Sequence, residues 1–393
     1  MRQSDRTAFI TGAGTDGWEV YYRARAMAAA GERVLQLTIG EPDTKTDPAI
    51  LRAMHASAMA GNTGYTFGPG KTDLRETVAA RVLARTGVPT TWRNVIITTG
   101  GQAGIFASHM VLCDPGDRAL ICDPYYATYP GTIRSVGATP VAVPTRPEDA
   151  FQPRPEAIAA QAAGARTLMI NSPNNPTGVV YTRATLDGVA GVVQDHGLWL
   201  ISDEVYDTQV WQGAHISPRA LPGMAERTLV IGSMSKSHAM TGSRLGWVVA
   251  PEAVVEGLTT LVTNTTYGVP AFVQDAARFA LDQGADFEAA IAAPFRRRRA
   301  LAHGILCGQN VVRAVPSDGA MYLMLDIRET GLSGNAFAGA LLDAERIAVM
   351  PGESFGQAAA GHVRVAMTIA DDVFAEALTR LLAFAAARAR NAA

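Results

Sequence analysis

Short β-prone runs alternate with longer segments of helical period, and this alternation restricts the fold more than any other feature of the chain. Runs at 34–38, 95–98, 119–122, 140–143, 167–170, 199–202, 229–231 and 247–250 read as strands. Helical patterns occupy 73–86, 105–112, 184–195 and 252–262 between them. Strand and helix in alternation make an α/β domain with a mostly parallel central sheet. From about Asp286 the pattern changes. A long helical stretch through 296–306 leads into runs at 322–326, 347–350 and 363–367, interleaved with further helices. The chain therefore reads as a large domain over 47–285 and a smaller α/β domain over 286–393, completed by residues 1–46. Its 393 residues suffice for both, and no internal repeat or low-complexity linker divides them.

Ligands of open α/β sheets gather beyond the carboxyl ends of the strands. Four polar clusters of this sequence fall there. Gly100-Gly101-Gln102-Ala103 follows the run 95–98 and opens a helix, where backbone N–H groups and the dipole suit a phosphate. Asn171 to Gly178 follows 167–170, and Asp203-Glu204-Val205-Tyr206 follows 199–202. The fourth cluster, after 229–231, holds Ser233, Ser235, Lys236 and Arg244. Hydroxyls and a guanidinium bind phosphate, and a lysine beside them can form an imine with an aldehyde. Pyridoxal phosphate carries both groups. Each cluster alone also has a plain structural reading: a polar loop, a tight turn, a Pro/Asn-shaped loop, a helix-capping aspartate. Their coincidence at one edge of one sheet is what points to a site.

Ser233, Ser235, Lys236, Arg244 and Gly246, at their spacings, resemble the lysine motif of the class I/II aminotransferases. Asn171-Ser172-Pro173-Asn174-Asn175-Pro176-Thr177-Gly178 matches that family's Asn-x-Pro-x-Asn-Pro-Thr-Gly pattern. The resemblance runs from about Trp18 to the C-terminus and implies a fold type I enzyme using pyridoxal 5'-phosphate. It implies that Lys236 carries the cofactor and moves the substrate's Cα proton. Asp203 then pairs with the pyridinium nitrogen, Asn175 and Tyr206 meet the phenolate oxygen, and Tyr126 stacks on the ring. Gly101, Gln102, Ala103, Ser233, Ser235 and Arg244 belong to the cofactor site on the same grounds. Gly40, in Gly40-Glu41-Pro42, and Arg364, in Gly361-His362-Val363-Arg364, fall where the family binds the substrate carboxylate together with Asn175. Tyr65, in Gly64-Tyr65-Thr66, falls where a tyrosine reaches the neighbouring subunit's cofactor, which implies a homodimer. The implied reaction is a ping-pong transfer from an L-amino acid to a 2-oxo acid such as pyruvate.

Longer strings at 18–24, 221–225, 235–242, 296–299 and 326–332 resemble a subgroup with arginine as donor and pyruvate as acceptor. The N-terminal segment carries Asp16, Trp18, Glu19, Tyr21 and Tyr22, carboxylates and rings that suit a guanidinium. Ser243, where a tryptophan is usual, and Phe67-Gly68-Pro69 depart from that subgroup. An aspartate- or aromatic-type aminotransferase and a β-eliminating C–S lyase share nearly all these residues, because only the fate of the carbanion differs.

Composition narrows the remaining classes. Hydrophobic residues make up 48% and charged residues 18%, with a net charge of -2. That balance fits a globular protein with neither nucleic acid nor membrane as partner. Residues 1–15 are too polar for a signal-peptide core, and no apolar run could span a bilayer. Cys113, Cys122 and Cys307 have no metal-type spacing, so no metal is expected and a cytoplasmic location fits. Arg296 to Arg299 reads as a solvated or interface face, His238 as a locally packed side chain, and 375–389 as an amphipathic helix on the small domain.

Overall fold

A computed structural model describes residues 4–11, 17–66 and 68–392. Asp16 and Phe67 lie outside the described residues. The strands, in chain order, are β1 (Leu35–Gln36), β2 (Val95–Thr98), β3 (Arg118–Asp123), β4 (Thr139–Pro144), β5 (Ala165–Asn171), β6 (Trp199–Asp203), β7 (Thr228–Ser233) and β8 (Gly246–Val249). They are followed by β9 (Arg313–Ala314), β10 (Tyr322–Asp326), β11 (Ile347–Ala348), β12 (Met350–Pro351) and β13 (His362–Ala366). Seven of them form the large sheet, in the order β2-β8-β7-β6-β5-β3-β4. Only β8 runs antiparallel to its neighbours β2 and β7, so the sheet is mostly parallel as expected.

Its two faces show the side-chain period of a strand. Ile96, Ile121, Met169, Ile201, Ile231 and Val248 enter one core, with helices Gly101–Leu112 and Glu252–Thr263 packed on it. Their chain neighbours turn to the opposite face, Ile97, Val230 and Trp247 in one core, Leu120, Leu168 and Leu200 in another. A sheet buried on both sides reads as continuous apolar runs, which is why the sequence located these strands so closely.

A second sheet, β12-β13-β10-β9, is antiparallel throughout. Leu323, Leu325, Val363 and Val365 pack there against Phe337 and Leu341 of helix Gly334–Glu345 and Phe374 and Leu378 of helix Asp371–Ala392. The N-terminal segment belongs to this body. β1 pairs with β11 in parallel, Leu37 N donates to Ala348 O at 2.8 Å, and Ala366 N donates to Leu37 O at 2.9 Å. That stitching brings the next residues, Gly40 and Glu41, to the edge of the large sheet.

Several boundaries differ from the sequence reading. The helix expected from Ile105 begins at Gly101, so the glycine pair is its N-terminus. The helix through 296–306 begins at Gly284 and runs across the proposed domain boundary, with Phe287 against the large core and Phe295 in the small one. The run 296–299 is not a uniformly solvated face. Arg298 is buried and bonds both oxygens of Asp43, at 2.9 and 2.6 Å, and Asp371 at 2.8 Å. A buried guanidinium needs such partners, and its helix turns this one inward toward the Gly40 segment.

Candidate active site

The carboxyl ends of β2, β3, β5, β6 and β7 open into one cavity of about 390 Å³, closed from the other side by Ile39 to Glu41, Tyr322 and Arg364. Asp203, the last residue of β6, is buried at its floor. Tyr129 Oη donates to its Oδ2 at 2.6 Å and Val205 N to its Oδ1 at 3.3 Å. Burial pushes Asp203 up to about 6, against the two hydrogen bonds, which favour the charged form. A cationic ring nitrogen is the kind of partner such a carboxylate lacks.

Lys236 rides on the one-turn helix Met234–Ser237 that follows β7. Ser233 caps that turn, its Oγ accepting from Ser235 N at 3.1 Å. The lysine amine donates to Gly40 O across the cavity. Burial pulls Lys236 down to about 8; Glu41 opposes the shift, while Arg364 and Arg244 add to it. Near neutral pH a usable fraction is the free amine, the form that attacks an aldehyde.

Arg244, at φ 50, donates to Thr241 O at 2.8 Å and lies against Gly100, where a Cβ would come within 2.4 Å of its Nη2. Only glycine at position 100, at φ 87, lets the guanidinium and the N-terminus of helix Gly101–Leu112 meet there. Ser235 lines the same cavity, and its Oγ makes no hydrogen bond to another described residue.

The Asn/Pro octad divides its labour. Asn171 Nδ2 donates to Asp203 O of β6 at 2.9 Å while its Oδ1 accepts from Asn175 N at 2.7 Å, and Asn174 Oδ1 accepts from Thr177 Oγ1 at 2.7 Å, so both shape the loop. Asn175 turns into the site, its Nδ2 at 3.5 Å from Tyr206 Oη and its Oδ1 accepting from Arg364 Nη1 at 2.7 Å. Arg364, on β13, is buried between the rings of Tyr322 at 4.5 Å and Phe355 at 4.4 Å. It also donates to Thr38 O, while its buried Nε has no partner among the described residues. A guanidinium held by two rings and two acceptors, with a donor unspent, is built to take a carboxylate.

The expected residues Gly40, Gly101, Gln102, Tyr126, Asn175, Asp203, Tyr206, Ser233, Ser235, Lys236, Arg244 and Arg364 all line this cavity. Ala103 sits in the first turn of its helix, outside the lining. Tyr65 is 80% exposed and lies beside Tyr267, ring centroids 5.4 Å apart, away from the cavity. Glu19 is exposed at the start of helix Glu19–Ala29; among the described residues of the N-terminal cluster, Trp18 alone reaches the lining. His238 is buried, stacked on Phe287 and held down to about 4 by desolvation, as a packed side chain. Sequence reasoning missed Tyr129 and Tyr322. Each carries an ordinary core signature, and only long-range contact brings it to the site.

These residues fit pyridoxal 5'-phosphate. Ser233, Ser235, Arg244 and the first N–H groups of helix Gly101–Leu112 can hold its phosphate, with Ser235 Oγ and the Gly100 cradle otherwise unexplained. Lys236 can take its aldehyde, Asp203 its ring nitrogen, and Asn175 with Tyr206 its phenolate oxygen. Among the described residues no cluster of His, Cys, Asp and Glu is arranged to hold a metal, and no helix is long and apolar enough to cross a membrane.

Comparison with known proteins agrees. The family model for aminotransferase class I and II matches residues 32–381. An arginine–pyruvate transaminase of Pseudomonas aeruginosa is 41% identical over 387 residues, 98% of each chain. The aspartate/prephenate aminotransferase of Thermus thermophilus is 33% identical, over 91% of this chain and 92% of that one. Among solved structures, Thermus thermophilus aspartate aminotransferase with maleate superposes at a TM-score of 0.90, at 31% identity, covering 97% of this chain and all of its own. The chain belongs to the class I and II aminotransferases, which use pyridoxal 5'-phosphate.

Proposed function

We propose that this class I and II aminotransferase takes its amino group from a cationic or otherwise non-acidic L-amino acid, arginine foremost, and gives it to pyruvate or a similar 2-oxo acid. One observation carries the reading: among the described residues of its own chain, the cavity has no cation to spare. Its basic side chains among the described residues are Lys236, Arg244 and Arg364. Arg364 is committed to the substrate's α-carboxylate, Arg244 to the cofactor phosphate and Lys236 to the cofactor aldehyde. A dicarboxylate donor would need one more cation, because a second carboxylate entering a desolvated site must be paired. The cavity presents instead the carboxylate of Glu41 and the rings of Trp18, Tyr126 and Tyr322. The arginine–pyruvate transaminase, aligned over 98% of both chains, supports the same donor.

The bound cofactor supplies an aldehyde for the amino group and a protonated ring that accepts the electron pair left at Cα. The protein supplies the rest. Arg364 fixes the α-carboxylate with a fork that cannot swing, because Tyr322, Phe355, Asn175 and Thr38 hold it. Lys236 would hold the cofactor's aldehyde and, once free, would take the Cα proton at Nζ as base and deliver it as acid to the former aldehyde carbon. Asp203, through its negative charge, would favour the protonated form of the ring nitrogen. Asn175 and Tyr206 would hold the ring's oxygen, and Tyr126 would pack on the ring. The half-reactions run in ping-pong order at one site, the 2-oxo acid reversing the first.

In this reading residues 47–285 hold the cofactor, while 1–46 and 286–393 bring Gly40 and Arg364. Two copies assemble, each lending Tyr65, which stands outside its own cavity, to the other's site. The enzyme works in the cytoplasm, where Cys113, Cys122 and Cys307 stay thiols.

A panel of arginine, lysine, leucine and aspartate against pyruvate and 2-oxoglutarate, read as kcat/KM, tests the donor. Arginine should exceed aspartate by about tenfold or more, a difference of about 1.4 kcal/mol in transition-state binding. Aspartate ahead by that margin refutes the cationic donor in favour of an aspartate-type enzyme. Ammonia and pyruvate released from one substrate, with no oxo-acid acceptor, would make it a lyase.

A further inference from the structure

Tyr129 opens the helix Tyr129–Ser135 and is 3% exposed. Its ring meets Tyr126 edge-on, centroids 5.7 Å apart at 81°, and its hydroxyl donates to Asp203 Oδ2 at 2.6 Å. We infer that Tyr129 is a positioning residue that fixes the orientation and charge of Asp203, and through it the hold on the cofactor's ring nitrogen. The inference rests on the role proposed for Asp203.

The carboxylate has two donors of unequal weight. Val205 N, two residues along the same chain, reaches Oδ1 only at 3.3 Å. Tyr129 comes from another element at 2.6 Å, a length typical of a hydroxyl bonded to a charged oxygen. Other groups face Asp203: Glu204 beside it, Lys236 from the loop after β7, Tyr126 from the loop after β3, and Tyr206 from the turn after β6. Among the described residues, Tyr129 alone gives its carboxylate a side-chain hydrogen bond. Burial and the charge of Asp203 push the Tyr129 phenol well above its ordinary value, so it remains a donor at every pH the enzyme meets.

The electrostatics follow from the same contact. Burial raises Asp203 to about 6, and the Tyr129 hydrogen bond pulls the other way. Without the hydroxyl, protonation of Asp203 moves to higher pH, and a neutral acid cannot hold a protonated pyridine through charge. The ring of Tyr129 serves a separate purpose, backing Tyr126. Tyr129→Phe keeps that ring and deletes only the donor.

The test is cofactor affinity by equilibrium dialysis, across pH, for wild type, Tyr129→Phe, Asp203→Asn and the double variant. Tyr129→Phe should weaken cofactor binding about tenfold, the size expected for one hydrogen bond to a charged group. The acid limb of its affinity profile should move to higher pH, with KM for the amino acid unchanged. In the Asp203→Asn background the same substitution should have no further effect. An equal loss in both backgrounds means the hydroxyl acts through packing and overturns the inference. So does a Tyr129→Phe enzyme within twofold of wild type with an unmoved acid limb. If Asp203→Asn itself leaves affinity intact, the role of Asp203 fails, and the inference falls with it for that distinguishable reason.

Discussion

Gly40→Ala is a one-carbon change whose consequence can be worked out from the structure. A Cβ at position 40 would sit 1.7 Å from Tyr322 Oη, 2.5 Å from its Cζ and 2.9 Å from its Cε1. Ordinary contact begins near 3.4 Å, so one side must move by well over 1 Å. Neither side is free. Tyr322 is 2% exposed, its hydroxyl lies 2.9 Å from Tyr206 Oη, and its ring backs Arg364 at 4.5 Å. The Gly40 segment is tied by Gly40 O to Lys236 and by Thr38 O to Arg364. Overpacking of this kind costs about 1–3 kcal/mol of stability. Whichever side yields, Arg364 or Lys236 loses a contact that positions it, and about 1 Å of misplacement costs on the order of 100-fold in rate. The amino-acid half-reaction, followed by stopped-flow absorbance, should therefore fall about 100-fold in rate over affinity, with cofactor content near normal, since the residues proposed to hold the phosphate lie elsewhere. Adding Tyr322→Phe removes the nearest atom but leaves Cζ at 2.5 Å, and should restore only part of the loss. A Gly40→Ala enzyme within threefold of wild type (about 0.6 kcal/mol) would refute the claim that this contact organises the site.

Two further outcomes follow from the same geometry. Lys236 titrates at about 8, and only its neutral form attacks an aldehyde, so the rate of apoenzyme reconstitution with pyridoxal phosphate should climb through that pH and level off above it; a profile flat from mildly acidic to alkaline pH contradicts the depressed value. Mixing Lys236→Ala with a Tyr65→Ala enzyme, under conditions of subunit exchange, should restore activity to heterodimers with one intact site; heterodimers that stay inactive rule out the shared site.

Much of the fold and the site was legible in the sequence because its determinants are local. Strands buried on both faces, such as Val95-Ile96-Ile97-Thr98, announce themselves as apolar runs. The residues that line the cavity cluster just past strand ends, so Asp203, Ser233, Ser235, Lys236 and Asn175 could be placed before any contact was known. Orientation within a cluster was not legible. Asn171, Asn174 and Asn175 are chemically alike, and the backbone alone decides that the first two bond the loop while Asn175 faces Arg364. The same holds for the arginine run, where helical phase buries Arg298 against Asp43. Glu19, chemically plausible for a cationic substrate, stays exposed, and Glu41 lines the cavity instead.

What only the tertiary structure decided is pairing at long range. Tyr129 meets Asp203 across 74 positions of chain, and the residue that receives the Lys236 amine, Gly40, lies 196 positions away. Tyr322 and Tyr129 look like any core tyrosine, because an aromatic in an apolar context satisfies the same local pattern whether its hydroxyl meets another phenol, a buried carboxylate or water. Periodicity records which face of an element is buried. It carries no record of what lies opposite, and in this enzyme the meeting of elements far apart in the chain sets the charge of Asp203, the reach of Lys236 and the immobility of Arg364.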